Sequence, residues 1–407
     1  MSEKNFAASK NATKNRFDNQ DPVPSRHSPA RPGFLFFWPV VGGVVEQKGH
    51  RASLPSRQAM NSSPTVIAEP QCSPRLASST RLTHHAAMFR ILALLLALIA
   101  SPALATTDDS TPLIPKVSAG RIVAWPSLDG GEAGRMSVWV WLPPGYDKHP
   151  RQRYPVLYMH DGQNLFDRAL TRFDQEWGID EAIPRMAARG DLRDWIVVGV
   201  QSPQSRYQTL FPAKLLPLLS PAFQAKVRNL DSGTPKGEFA SAAYLDFLVH
   251  QLKARVDTAF RTLPRREDTA VMGSSMGGLI AFYAMAEYPS VFGQAACVSM
   301  HVALASPTEK DADHKAQADE VASAFNRYLA TSAMRLGPNR LYIDHGSKTL
   351  DGSYGPYTDV LVPMLQRRGW KDGPDFEFRI FSGAEHNETA WRERIDIPLG
   401  FLDRKDP

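Results

Sequence analysis

The segment Thr269-Ala-Val-Met-Gly273-Ser274-Ser275-Met276-Gly277-Gly278 constrains this chain more than any other. An apolar strand-like run over 269–272 ends in glycine and serine. A helix-like apolar run over 276–288 follows and is stopped by Pro289. The pattern is G-x-S-x-G, centred on Ser275. A chain that turns this sharply from strand to helix holds the serine at the apex in strained backbone. Side chains two residues to either side would clash, so glycine is favoured there. The helix that follows aims its positive end at the hydroxyl. Taken alone, such a motif also reads as an ordinary Gly/Ser turn; the flanking strand and helix supply the context it needs. No Gly-Lys-Ser/Thr follows, which excludes a phosphate loop. Ser274 is the competing hydroxyl but lacks the glycine spacing.

Around this segment, strands and helices alternate. Strands are expected over 121–125, 135–142, 154–159, 195–200, 294–299, 340–344 and 376–381. Helices are expected over 181–188, 239–260, 357–368 and 389–402, with Pro184 tolerable only near a first turn. Residues 203–238 look like a long excursion that could roof a site, and 305–320 like a polar surface insertion. The alternation predicts an α/β protein, a mostly parallel central sheet with helices on both faces. Together with the serine motif this is the α/β-hydrolase fold, one domain over 106–407.

A serine hydroxyl needs an imidazole to take its proton and an acid to hold that imidazole. In this fold the chain order is Ser, then Asp or Glu, then His. His386 is the last histidine, in a loop between strand and helix, and is the expected base. For the acid, Asp351 lies in the loop beyond a strand and is preferred. Asp344, still on that strand, is the second candidate, with a turn or cap as its plain role. Two backbone N–H donors are needed for the oxyanion: Met276, after the nucleophile, and Gln163, in the loop Met159-His160-Asp161-Gly162-Gln163-Asn164. His160, Asp161 and His301 are expected to line the substrate site, although His160-Asp161-Gly162 also reads as an Asp-Gly turn. His345 is expected to be structural or to line the site. Phe166, Tyr207, Phe211 and Trp391 could hold an aryl or sugar group or simply pack in the core. No metal or cofactor is expected.

The N-terminal part differs in composition. Residues 1–105 carry 12 of the 47 Lys/Arg and 5 of the 42 Asp/Glu, a net of +7, which leaves the rest at −2. The basic balance therefore belongs to the leader, and a nucleic-acid partner is not expected. Residues 1–87 read as a disordered leader, with Met88 expected as the real start and the leader as an over-extended translation. Residues 88–105 have a short basic start, a ten-residue apolar run over 91–100 and small residues at Ala103 and Ala105, the layout of a secretory signal peptide. The expectation is a periplasmic or secreted protein with no membrane span in its mature form. The two cysteines, Cys72 and Cys297, offer no bridge within the body, and Cys297 reads as a core thiol.

The chain resembles the putative esterase family that includes enterobactin and feruloyl esterases and, more distantly, S-formylglutathione hydrolases and mycolyltransferase antigens. The resemblance rests on 154–167, the 244–261 helix, Val271-Met-Gly-Ser-Ser-Met-Gly-Gly278, and Gly383-Ala-Glu-His386 with Trp391. It implies a cofactor-free ester-cleaving triad and supports Gln163, since the family's second oxyanion donor follows the glycine of that loop. Val-Ser-Met-His301-Val departs from the Ser-Pro-x-x-Trp-like sequence common after the sixth strand. The expected activity is hydrolysis of a small-molecule carboxylic ester. An acyltransferase passing the acyl group to a sugar or lipid, and a non-catalytic binding protein on the same fold, are the alternatives.

Overall fold

The computed structural model describes residues 113–171, 173–229, 238–307, 311–334, 339–373 and 375–404. The chain divides into two units, 1–100 and 101–407, and every described residue falls in the second. The leader and the signal-like segment lie outside the described residues.

Eight strands form one sheet: β1 (Arg121–Asp129), β2 (Arg135–Leu142), β3 (Val156–His160), β4 (Ile196–Val200), β5 (Thr269–Ser274), β6 (Gln294–Val298), β7 (Arg340–His345) and β8 (Phe376–Ile380). Their spatial order is β1-β2-β4-β3-β5-β6-β7-β8. β2 pairs antiparallel with both β1 and β4, and β4 through β8 are parallel. This is the α/β-hydrolase topology, as the alternation of elements predicts. β3 and β5 are neighbours, so the connections leave in opposite directions on either side of them, and a crevice opens at their carboxyl ends.

The sheet is buried on both faces, and its strand sequences show why. Val138, Val140, Tyr158, Val198, Val271, Cys297 and Ile343 point to one core, where they meet Leu279, Phe282 and Met285 of the helix Met276–Glu287. Trp139, Trp141, Leu157, Met159, Val197, Met272 and Tyr342 alternate with them and point to the other core, against Ile179, Ile183, Trp391 and Phe401. Strands sealed on both sides are apolar at nearly every position, which is why they read as short unbroken runs. Cys297 is a buried thiol, with burial pushing its pKa up.

Several elements depart from expectation. β1 runs on to Asp129 through an irregularity between Trp125 and Leu128, where Ser127 takes φ 54°. The helix Ile179–Arg189 carries Pro184 in its second turn rather than its first. The expected helix over 239–260 is Ser241–Asp246 and Lys253–Ala259 joined by the π-helical turn Phe247–Leu252. The expected helix over 389–402 breaks into Glu388–Glu393 and Asp396–Leu402. Most of the supposed polar insertion belongs to a 21-residue helix, Asp311–Thr331, whose buried Ala318, Val321, Ala324, Phe325 and Tyr328 face the core. The expected excursion packs inward too: Leu210, Phe211 and Leu215 are fully buried. Among the described residues no helix is long and apolar enough to cross a membrane.

Candidate active site

Each parallel strand from β3 to β8 ends on the same edge of the sheet, and the polar residues singled out by sequence gather just beyond those ends. Ser275 follows β5 with φ 56° and ψ −122°, a conformation that costs a non-glycine residue about 1–3 kcal/mol. The flanking glycines make it reachable. A Cβ on Gly273 would stand 2.6 Å from the Gly277 carbonyl carbon, and one on Gly277 would stand 3.0 Å from Asp161 Oδ2. Strand end and helix start therefore meet backbone to backbone, and the helix start presses on the Asp161 and His160 side chains of the β3 loop. The Ser275 N–H donates to Val298 O (3.1 Å), and its carbonyl accepts from Leu279 N (3.0 Å) and His301 N (3.0 Å). Met276 is the first helical residue, so its N–H has no acceptor within the helix.

Beyond β7 and β8 the loops bring Asp351 and His386 together. His386 Nδ1 and Asp351 Oδ1 are 2.6 Å apart. The other Asp351 oxygen accepts from Gly346 N (2.6 Å) and Ser299 Oγ (2.5 Å), and the residue is fully buried. Burial pushes its pKa up. The hydrogen bond and charge of His386, with Ser299 and Gly346, outweigh that and hold it below the usual carboxylate range. The His386 ring stands edge-on to Trp391 (5.2 Å, 80°) and to Tyr354 (6.0 Å, 80°).

Asp344 is engaged elsewhere. It receives Ser299 N (2.9 Å) and Tyr342 Oη (2.8 Å) and pairs with Arg394 Nη2 (3.1 Å), all buried. Ser299 lies between the two carboxylates: its Oγ donates to Asp351 and accepts from Trp391 Nε1 (2.9 Å) and Arg394 Nη2 (2.9 Å). His345 is structural, with Nδ1 against Gly346 O (2.6 Å) and Nε2 against Thr358 Oγ1 (3.1 Å).

In the β3 loop, Asp161 takes a left-handed conformation (φ 57°, ψ 47°) and Gly162 abuts β4, where a Cβ would stand 2.5 Å from the Gly199 carbonyl carbon. The Gln163 side chain is pinned to the end of β4, donating to Ser202 Oγ (2.8 Å) and accepting from Ser202 N (3.0 Å). Asp161 is clamped by Arg206 Nε and Nη2 (2.7 Å each) and by the Ser202 hydroxyl. Burial raises its pKa, but Arg206 and Ser202 prevail and lower it. His160 is sealed, its Nδ1 2.7 Å from Tyr244 Oη and its Nε2 without a partner. Burial pushes its pKa down to about 4. His301 is likewise buried, with Nδ1 2.9 Å from Tyr354 Oη. Burial, then the charges of His386 and Arg206, push it down to about 3.

Thus Ser275, Asp351, His386, Met276, Gln163, His160, Asp161 and His301 all lie at this edge. The side chains of His160 and Asp161 are committed to Tyr244 and Arg206. Phe166, Phe211 and Trp391 are buried in the core, and the Tyr207 hydroxyl donates to Leu304 O (2.6 Å). Sequence reasoning missed Ser299, Tyr354, Arg394, Arg206 and Tyr244. Arg206 lies within the excursion over 203–238, and a cation there facing Asp161 was its only signal. Among the described residues, no three His, Cys, Asp or Glu are grouped to hold a metal ion.

The family model described as "Putative esterase" matches residues 133–396. The uncharacterized protein YbbA of Bacillus subtilis (strain 168) is 24% identical over 173 residues, 42% of this chain and 60% of that protein. The chain thus spans less than two thirds of that relative. Among solved structures, a ferulic acid esterase aligns at TM-score 0.48 and 14% identity, covering 70% of this chain and 98% of its own. The enterobactin esterase of Shigella flexneri aligns at 0.45 and 14%, covering 71% and 59%.

Proposed function

Because the chain belongs to the Putative esterase family, we propose that it is a serine esterase cleaving a small-molecule carboxylic ester through an acyl-enzyme on Ser275. The observation that carries this reading is the 2.6 Å Asp351–His386 pair, held at the same sheet edge as a serine with positive φ.

In this mechanism Ser275 Oγ attacks the ester carbonyl as His386 takes the hydroxyl proton on Nε2, the ring nitrogen remote from Asp351. Asp351 fixes the imidazole's tautomer and stabilises the imidazolium. Its lowered pKa supports an ionised partner at neutral pH. The tetrahedral oxyanion is received by the Met276 and Gln163 N–H groups. Collapse expels the alcohol, which leaves with the His386 proton. Water, deprotonated by His386, then releases the acid. The Gln163–Ser202 and Asp161–Arg206 contacts support a donor loop fixed before substrate arrives, so no reorganisation is charged to the reaction.

The test is labelling with a fluorophosphonate probe, paired with a screen of p-nitrophenyl, feruloyl, acetyl-sugar and siderophore esters. Ser275→Ala is expected to lose the label and about four orders of magnitude or more in kcat. Unlabelled wild-type protein would point instead to a binding protein on a hydrolase fold. Product analysis with an added alcohol separates hydrolysis from acyl transfer. The same reading keeps the export expectation, and fractionation of cells making the native protein checks it.

A further inference from the structure

Ser299 has no part in the mechanism above, yet its hydroxyl is bonded to the triad acid. The residue directly follows β6, is fully buried and takes φ 41°, a left-handed conformation that a serine holds only at a cost. Its N–H donates to Asp344 Oδ1 (2.9 Å). Its Oγ meets three groups at once: Asp351 Oδ2 (2.5 Å), Trp391 Nε1 (2.9 Å) and Arg394 Nη2 (2.9 Å).

Those partners fix where the Ser299 proton points. A hydroxyl has one proton and two acceptor positions. Indole and guanidinium groups only donate, so Trp391 and Arg394 fill both acceptor positions. The proton is left one acceptor, Asp351 Oδ2. That oxygen also receives the Gly346 N–H (2.6 Å), while Oδ1 faces His386 Nδ1 (2.6 Å). With two donors already aimed at it, Oδ2 has no room for a proton of its own. Protonating it would break one of those bonds and strand a buried donor. Burial raises the Asp351 pKa, and the bonds from His386, Ser299 and Gly346 more than offset it.

Other ionisable groups crowd the same centre from several elements. Asp344 pairs with Arg394 (3.1 Å) and accepts from Tyr342 Oη (2.8 Å). Burial pushes the Tyr342 and Tyr354 phenols up, so both keep their protons. Burial, then His386 and Arg206, push His301 down to about 3. His345 is bonded at both ring nitrogens. Glu388, two residues past His386, is raised by burial and accepts from Asn164 Nδ2 (2.9 Å). Of these groups, Arg394 is the one bonded to the Ser299 hydroxyl.

We propose that Ser299 is a positioning residue of the triad: locked by Trp391 and Arg394, its hydroxyl donates to Asp351 Oδ2 and delays proton uptake by the Asp351–His386 pair to lower pH. The inference rests on the acyl-enzyme reading, because it serves a His386 that must be free to take the Ser275 proton. The two groups share a hydrogen bond and titrate as a unit. Without the Ser299 donor, more negative charge stays on the carboxylate. The pair then binds a proton more readily, and the base is occupied at a higher pH.

The pH profile of kcat/KM for p-nitrophenyl acetate tests this. Ser299→Ala is expected to move the acid limb up by about half a unit or more, which is about a threefold loss on the acid side that vanishes above the limb. Trp391→Phe keeps a ring beside His386 but frees one Ser299 lone pair. It should move the limb the same way by less, and it carries the test should Ser299→Ala not fold. A loss equal at every pH, as a hydroxyl needed only for packing would give, or an unmoved limb, overturns the proposal. NMR titration of the His386 ring protons reads the pair without turnover. With fluorophosphonate labelling it separates the failures. A labelled wild type whose midpoint stays put in both variants defeats the Ser299 role alone, and an unlabelled wild type defeats the acyl-enzyme reading beneath it.

Discussion

At the scale of single residues, the site stores strain at Ser275. A φ of 56° with ψ of −122° suits glycine alone. Ser275→Gly should therefore raise the unfolding free energy by about 1 kcal/mol, measured by urea titration, while abolishing activity. A lower midpoint would show that the elbow is not strained. Choosing between the two acids is also a matter of single side chains. Asp344 and Asp351 lie seven positions apart along the chain. What separates them is a tertiary fact: Arg394, 50 residues past Asp344, claims that carboxylate, while Ser299 and Gly346 turn Asp351 toward His386. No local pattern encodes either partner, so the sequence could order the two candidates without deciding between them.

Elements show the same division between what local pattern carries and what it does not. The elbow was legible because its requirements are local: an apolar strand, two glycines where backbones meet, and a helix. Gly273→Ala should bear this out by destabilising the protein by about 1–3 kcal/mol, because its Cβ would press on backbone that has no room to yield. An unchanged denaturant midpoint would refute the close approach. The parallel strands were legible for a similar reason, since burial on both faces leaves unbroken apolar runs. The helix Asp311–Thr331 was not. Its core stripe is built largely from alanines at Ala318, Ala322 and Ala324, with Val321, Phe325 and Tyr328, and opens on charged residues that resemble a surface loop. The break between Glu393 and Asp396 was invisible because apolar residues continue on both sides of it.

The whole molecule should respond to acid through groups buried in the wrong charge state. His160 and His301 are pushed down to about 4 and about 3 by burial. Free histidine titrates near 6.5. The unfolded chain therefore takes up two protons that the folded chain refuses, and this share of stability is complete above about pH 6.5 and lost below it. Asp180 works in the opposite sense. Burial, with Glu181 beside it, pushes its pKa up to about 7, so the folded state holds a proton that the unfolded state releases above about 4. These three groups alone leave a net difference of one proton between about pH 4 and 6.5, a contribution of about 1.4 kcal/mol per pH unit to the slope. Asp180→Asn should steepen the slope by about 1.4 kcal/mol per pH unit, as read by denaturant titration across the range. A variant with the wild-type slope would show that Asp180 ionises normally.

The acid and the imidazole of this site come from the loops after β7 and β8, the last strands of the sheet, whereas the hydroxyl follows β5. On the proposed mechanism, a chain translated only through β6 holds the hydroxyl before Asp351 and His386 exist. Competence toward esters would then arrive late in synthesis, with the loops after β7 and β8.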